Sequence, residues 1–370
     1  MIFRRLGKLM AAAAILALPL TAHAADAIRI GITMPTQTLL GKQAVQAAQT
    51  AADLINQDGG VAGGSQIELV AYDDENSPVA GVAAAQRLID QDGVKFVIGQ
   101  MSSTVALAIL PVAQAAGVVF VPTVPKHTDI TKAGYDKLFR LNSTVAMDSA
   151  VFNGIIKDTA KAKKIAYVIE NTDFGRLLLD SIKKSLEGTG AAVVYEGFYD
   201  LQQSDFGNLL TEAKASGADT LVTGGATVEQ YANVIRSAAE VGFKPDNIII
   251  SPGSLNANVI KLAGASAEGT MSSDIYLPSI DTPLNKRFVE AYESKYGMKP
   301  EKTEELTFEG VWLLARAIDK AGSDDVAKVA QTLHANAWET PRGEVRFDDA
   351  GQAISQSFVV AIKDGAIGRR

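Results

Sequence analysis

Short apolar runs alternate along this chain with longer stretches whose apolar residues recur at helical spacing. Ile28–Thr33, Ile67–Tyr72, Phe96–Gly99 and Val118–Val121 read as strands. Between them Gln43–Asn56, Val79–Asp90 and Val105–Ala115 read as alanine-rich helices, with Ala48, Ala51 and Ile55 on one face. A second series begins after Asn142. It predicts strands over Ile165–Ile169, Val193–Phe198, Thr220–Thr223 and Ile248–Ser251, and helices over Gly175–Glu187, Phe206–Ser216, Val228–Val241 and Asn256–Leu262. Such alternation predicts an α/β protein of parallel sheets flanked by helices. The rhythm then changes. Leu284–Tyr296, Thr303–Ala321 and Asp325–His334 read as helices with little strand between them, and Glu344–Phe347 with Ser357–Ile362 reads as a hairpin about Asp348–Gly351.

The start of the chain departs from this pattern. Arg4, Arg5 and Lys8 precede an apolar run from Leu9 to Leu20, and Ala22-His23-Ala24 comes next. The run is shorter than the roughly 20 apolar residues a bilayer span needs. A buried N-terminal helix would account for the apolar block alone. The order of basic flank, apolar block and small-x-small site predicts instead a signal peptide over residues 1–24, cleaved after Ala24, and export to a periplasm. The remaining chain is longer than one hydrophobic core usually organises, so two lobes are expected.

Composition narrows the chemistry. The chain has no cysteine, which removes disulfides, thiolate zinc sites and a lipidated cysteine anchor. It has 3 histidines, one of them His23 in the leader, so a histidine metal centre is not expected. Without the three leader basics, 32 basic residues face 42 acidic ones, a net charge of −10. That disfavours nucleic acid and anionic lipid as partners, and solubility is its simplest meaning. No G-x-S-x-G elbow and no convincing G-x-G-x-x-G after the first strand is present, so neither an enzyme nor a cofactor is expected.

The run VKFVIGQMSSTVALAILPVAQAAGVVFVPT resembles the strand, serine loop, helix and strand of periplasmic leucine/isoleucine/valine-binding proteins. AADLINQDGGVAGGSQIELVAYDDENSP, DFGNLLTEAKASGADTLVTGG and SAEGTMSSDIY match in the family's order, from about Ile28 to Ala366. The resemblance implies a type I periplasmic binding fold, two Rossmann-like lobes joined by three crossovers near Leu141–Thr144, Ser272–Asp274 and Trp338–Pro341. It divides the chain into an N-terminal lobe of 25–142 plus 274–338 and a C-terminal lobe of 143–273 plus 339–370. It also implies a monomeric solute-binding component that serves an ABC permease and ATPase. Presentation of the ligand to a membrane sensor is the alternative.

Ligands of open α/β sheets sit beyond the carboxyl ends of the strands. There Ser102, Ser103 and Thr104 open a helix, where hydroxyls and free N–H groups bind a carboxylate without a fixed positive charge. Ser103 matches the family's carboxylate-binding serine, and ordinary N-capping is its plainer role. Pro111 is expected to kink or divide this helix. In the next loop, with Thr123 and Val124, Pro125 stands where the family usually has a hydroxyl residue. Thr123 either replaces it or satisfies its own backbone, and His127 reads first as a surface residue. Asp173 reads as a helix cap first and a cation partner second, and Phe174 as a cover for an apolar or aromatic ligand group. Gly225 and Ala226 allow close approach and leave room. Gly253 stands where leucine-type binders carry the glutamate that pairs with the ligand ammonium. These departures point to a small organic acid with an apolar or aromatic body. Leucine, isoleucine or valine, with Asp173 as ammonium partner, is the alternative.

Overall fold

The computed structural model describes residues 27–370, so the leader lies outside the described residues. The first lobe runs β1 (Ile28–Met34), α1 (Leu39–Gln57), β2 (Ile67–Asp73), α2 (Pro78–Asp90), β3 (Phe96–Gly99), α3 (Ser103–Ala116), β4 (Val119–Pro122) and the short α4 (Asp129–Lys132). Its strands form a parallel sheet in the order β2-β1-β3-β4. Strands β3 and β4 are buried throughout, which is why they read as continuous apolar runs. Thr38 caps α1, its Oγ1 accepting the Gly41 N–H, and the alanine face of α1 is fully buried. Helix α3 continues through Pro111 to Ala116, contrary to the expected division. Pro111 faces solvent, where it displaces no core contact.

The second lobe runs α5 (Val145–Gly154), β5 (Lys164–Glu170), α6 (Asp173–Leu186), β6 (Ala192–Tyr199), α7 (Gly207–Ala215), β7 (Thr220–Thr223), α8 (Val228–Glu240), β8 (Asn247–Ile250), α9 (Ala257–Ala263) and β9 (Met271–Asp274). The chain then adds α10 (Pro283–Tyr296), α11 (Lys302–Ala321), α12 (Val326–Ala335), β10 (Trp338–Thr340), β11 (Gly343–Val345), β12 (Phe358–Lys363) and β13 (Ala366–Arg369). The second sheet has the order β13-β12-β9-β8-β7-β5-β6. It is parallel from β6 to β9, with β12 and β13 added antiparallel at one edge. Helix α11 returns to the first lobe, packs along α1, and buries most of its length.

Two sequence expectations fail at the tail. Glu344–Phe347 does not pair with Ser357–Ile362. Instead β10 and β11 form their own antiparallel hairpin around Pro341-Arg342, and β12 pairs with β9 and β13. The third crossover lies after Ala353 rather than near Trp338–Pro341, so residues 339–353 stay with the first lobe. Trp338 is buried and donates its indole N–H to Leu333 O, Arg342 is paired with the buried Glu309, and residues Arg140 and Gln352 bridge. Residues 354–357 then carry the chain across. The other crossings come after Leu141 and Asp274, the ends of segments paired with β4 and β12.

In both sheets the strand order reverses beside the first strand of the lobe, between β1 and β3 and between β5 and β7. A crevice opens beyond the strand ends at such a reversal. The two crevices face each other, and the site lies between them.

Candidate functional site

A cleft of about 540 Å³, its solvent-facing mouth included, lies between the lobes. Every loop in it leaves the carboxyl end of a parallel strand or opens a helix. From the first lobe come Leu40, Met101, Ser102, Ser103, Val124, Pro125 and Lys126, with Lys302 and Thr303 from the returning helix α11. From the second come Thr172, Phe174, Gly225, Ala226, Tyr231, Pro252, Gly253, Ser254 and Asn256.

Of the residues expected from sequence, Ser102, Ser103, Val124, Phe174, Gly225, Ala226 and Gly253 are brought together here. Thr104, Thr123 and Asp173 are not part of the lining. Thr123 is fully buried and donates to Gly99 O at 3.2 Å, the local backbone role that stood as its alternative. Thr104 Oγ1 accepts the Asp173 N–H at 3.3 Å, so both residues sit on the rim as a tie between α3 and α6. Asp173 is in the first turn of α6, whose cap is Thr172, so it is neither the cap nor a group facing the ligand space. The His127 ring accepts the Asp129 N–H beside the cleft and does not line it.

The serine loop is more specialised than a simple cap. Gln100 holds a left-handed backbone at φ 62°, fixed by its N–H to Thr33 O and its amide to Thr33 Oγ1. A non-glycine residue there is uncommon and persists only when its surroundings enforce it. The strained residue turns the chain so that Ser102 takes the N-cap position, with no hydrogen bond from its side chain to the helix. Ser103 is therefore not the cap. Its Oγ accepts the N–H groups of Lys126 and His127, each at 3.1 Å, which anchors the neighbouring loop and leaves the hydroxyl proton to donate elsewhere.

Across the cleft, Glu170 lies buried beneath the glycine loop and accepts the Ala226 N–H at 2.7 Å. A Cβ on Gly225, at φ 155°, would collide with its Oε2, which explains the glycine. Burial raises the Glu170 pKa, and the backbone donors of Ala226 and Thr227 oppose the rise. Tyr231 donates its hydroxyl to Ser254 O at 2.9 Å and accepts from Asn256 at 3.1 Å, holding the 254–256 loop against α8.

The fixed charges were missed by sequence reasoning. The lining holds two lysines and no carboxylate. Lys126 is paired with buried Asp148 at 2.5 Å and donates to Ser143 Oγ at 2.7 Å, so its charge is met. Lys302 is 6 % exposed and has neither an ion pair nor a hydrogen bond to its ammonium among the described residues. It crosses to the second lobe, where a Cβ on Gly253 would lie 2.5 Å from its Nζ. The space in which a Gly253 side chain would stand is thus filled by a lysine from the other lobe. Burial and the neighbouring Lys126 push the Lys302 ammonium down to about 8, against the attraction of Asp274. Only one signal in the sequence pointed this way, the glycine at 253.

Comparison with known proteins agrees with this arrangement. The family model described as periplasmic binding protein matches residues 27–366. A leucine-, isoleucine-, valine-, threonine- and alanine-binding protein of Pseudomonas aeruginosa is 31% identical over 365 residues, which cover 96% of this chain and 95% of that protein. Among solved structures, a branched-chain amino acid binding protein of Streptococcus pneumoniae in complex with isoleucine superposes with TM-score 0.84 at 22% identity, covering 93% of this chain and 99% of that one. A solute-binding protein of an R. palustris ABC transporter in complex with benzoate gives 0.83 at 22% identity, covering 93% and 95%. Two lobes with reversed strand orders facing one cleft, matched by relatives along nearly the whole described chain, place this protein in the type I periplasmic binding protein family, among the leucine/isoleucine/valine-binding proteins.

Proposed function

We propose that this protein is exported, loses residues 1–24, and as a periplasmic monomer carries a small organic acid with an apolar or aromatic body to an ABC permease and its ATPase. It works by binding and closure, without enzymatic chemistry. The observation that carries the ligand class is the charge of the cleft, which has hydroxyl and lysine donors and no acidic side chain in its lining. A zwitterionic amino acid would bury its ammonium there without a carboxylate partner, a cost of several kcal/mol. Asp173, the ammonium partner in the alternative reading, is not part of the lining. The hydroxyls of Ser102 and Ser103 and the apolar side chains of Phe174 and Leu40 in the lining support a ligand with a carboxylate and an apolar body.

The branched-chain amino acid reading draws support from the names of the relatives, and one experiment separates the two. The protein is purified from the periplasm, denatured, and the released ligand identified by mass spectrometry alongside the intact mass. An organic acid without an amino group is expected, on a chain beginning at Ala25. Released leucine, isoleucine or valine would overturn the acid assignment, and a full-length chain would overturn the cleavage.

A further inference from the structure

Lys302 carries an inference that deepens the organic-acid reading and rests on it. The side chain starts at the first residue of α11, a position held by a reciprocal capping box. The Glu301 N–H donates to Glu304 Oε2 at 3.1 Å, and the Glu301 carboxylate also receives the Ala257 N–H at 2.8 Å from α9 of the second lobe. The helix start is therefore pinned to both lobes. Its lysine runs along the Gly253 backbone, where φ of 72° and the absence of a Cβ leave the channel for the methylene stem.

The charged groups facing this ammonium are Lys126, Asp148, Asp274 and Glu304. Asp148 is committed to Lys126 and Ser143. Asp274 Oδ1 accepts the Ile275 and Tyr276 N–H groups, and Glu304 is engaged in the capping box. None lies within ion-pair distance of Lys302. A buried ammonium facing a ligand cleft without a partner is costly, and an anion entering the cleft relieves that cost.

We propose that Lys302 is the specificity residue of this cleft: its ammonium pairs with an anionic oxygen of the ligand and, by like-charge repulsion, turns away ligands that present an ammonium at that point. Because the lysine belongs to one lobe and lies on the backbone of the other, the ion pair forms at the lobe interface, and anion binding is coupled to closure. Like-charge juxtaposition excludes a wrong ligand rather than merely weakening it.

The test uses the mature protein, its Lys302→Met variant, and three probes in calorimetry: benzoate, 4-methyl-2-oxopentanoate and leucine. The last two share a carbon skeleton and differ in an oxo oxygen against an ammonium. The wild type is expected to bind at least one of the acids and to show no leucine binding. Lys302→Met should weaken the bound acid by about 10- to 100-fold, the range for a hydrogen bond to a charged group. The wild-type affinity should fall as pH rises above about 8, where the free lysine loses its proton, and the variant should lack this dependence. The unliganded variant should melt no lower than the wild type, since a buried unpaired charge has been replaced by an apolar chain. An acid affinity or pH profile unchanged in Lys302→Met would overturn the assignment of Lys302 while leaving the organic-acid reading intact. Leucine binding by the wild type, or failure of both acids to bind, would overturn the reading itself.

Discussion

The two neighbouring serines at 102 and 103 do different work, and substitution should separate them. Ser103 Oγ satisfies two backbone N–H groups of a buried loop. Ser103→Ala should lower stability by about 1–3 kcal/mol, the cost of buried groups left unpaired, and lower acid affinity with it. Ser102 makes no capping bond. Ser102→Ala should therefore weaken acid binding by about 10-fold or more, as expected for a lost hydrogen bond to a charge, and leave the melting temperature within a degree or two. Paired calorimetry and thermal melts on both variants check this. Equal losses of stability in the two would mean that Ser102 is structural as well. The sequence made the loop legible because hydroxyls between an apolar strand and a helix are a local pattern. It could not divide the roles, because the partners of Ser103 are 23 and 24 residues away.

At the scale of the element, the start of α11 concentrates acids, with Glu304 and Glu305 buried and Glu301 half-buried. Burial pushes Glu301 up to about 8, with Glu304 adding to the effect, and pushes Glu304 itself to about 7. Burial also raises Asp274, to about 6, and Glu305 well above its ordinary range beside Glu309. In the unfolded chain such carboxyls lose their protons near 4. Between that value and about 8 the folded protein holds more protons than the unfolded chain, so stability falls as pH rises through this window. The ligand-free protein should melt higher at about pH 5 than at pH 8. Glu301→Gln should shrink the difference, since it removes a carboxyl that titrates at the upper end of this window. A flat melting curve across this range would mean that these carboxyls stay ionised in the fold. Helix periodicity predicts the helix over Thr303–Ala321, but nothing in its Glu-rich start signals burial. It is buried because α11 lies between α1 and the chain crossings.

For the whole molecule, the ties across the cleft join a few hydrogen bonds to apolar packing of α8 against α1. The Asp173 N–H reaches Thr104, the Leu39 N–H reaches Glu229, and Asn258 reaches Gln43. Each such hydrogen bond contributes only about 0.5–1.5 kcal/mol. The chain crossings are tied more firmly. Asp148 takes Lys126 and Ser143 from one side and Ser357 from the last crossing, while Arg342 binds Glu309 and Leu141 O. Firmly tied crossings between two separate sheets are the makings of a hinge. Small-angle scattering should show a more open ligand-free population that compacts on adding a bound acid. A profile unchanged at saturation would argue for a scaffold that does not close.

The sequence by itself determined the two α/β series, the strand-end loops and the family, because each rests on local periodicity or on short runs whose neighbours are close in the chain. Ser102, Ser103, Phe174, Gly225 and Gly253 were legible for the same reason. Tertiary structure alone decided the tail, where β10 and β11 found each other and β12 found β9, since strand pairing depends on which edges are free. It alone moved Thr104 and Asp173 to the rim and Thr123 into the core. Above all it decided the charge of the site. The resemblance sets Gly253 where leucine-type binders carry a glutamate, but only the return of α11 to the first lobe brings the Lys302 ammonium against it. An ion's partner, or its lack of one, is fixed by the fold around it and by no pattern along the chain.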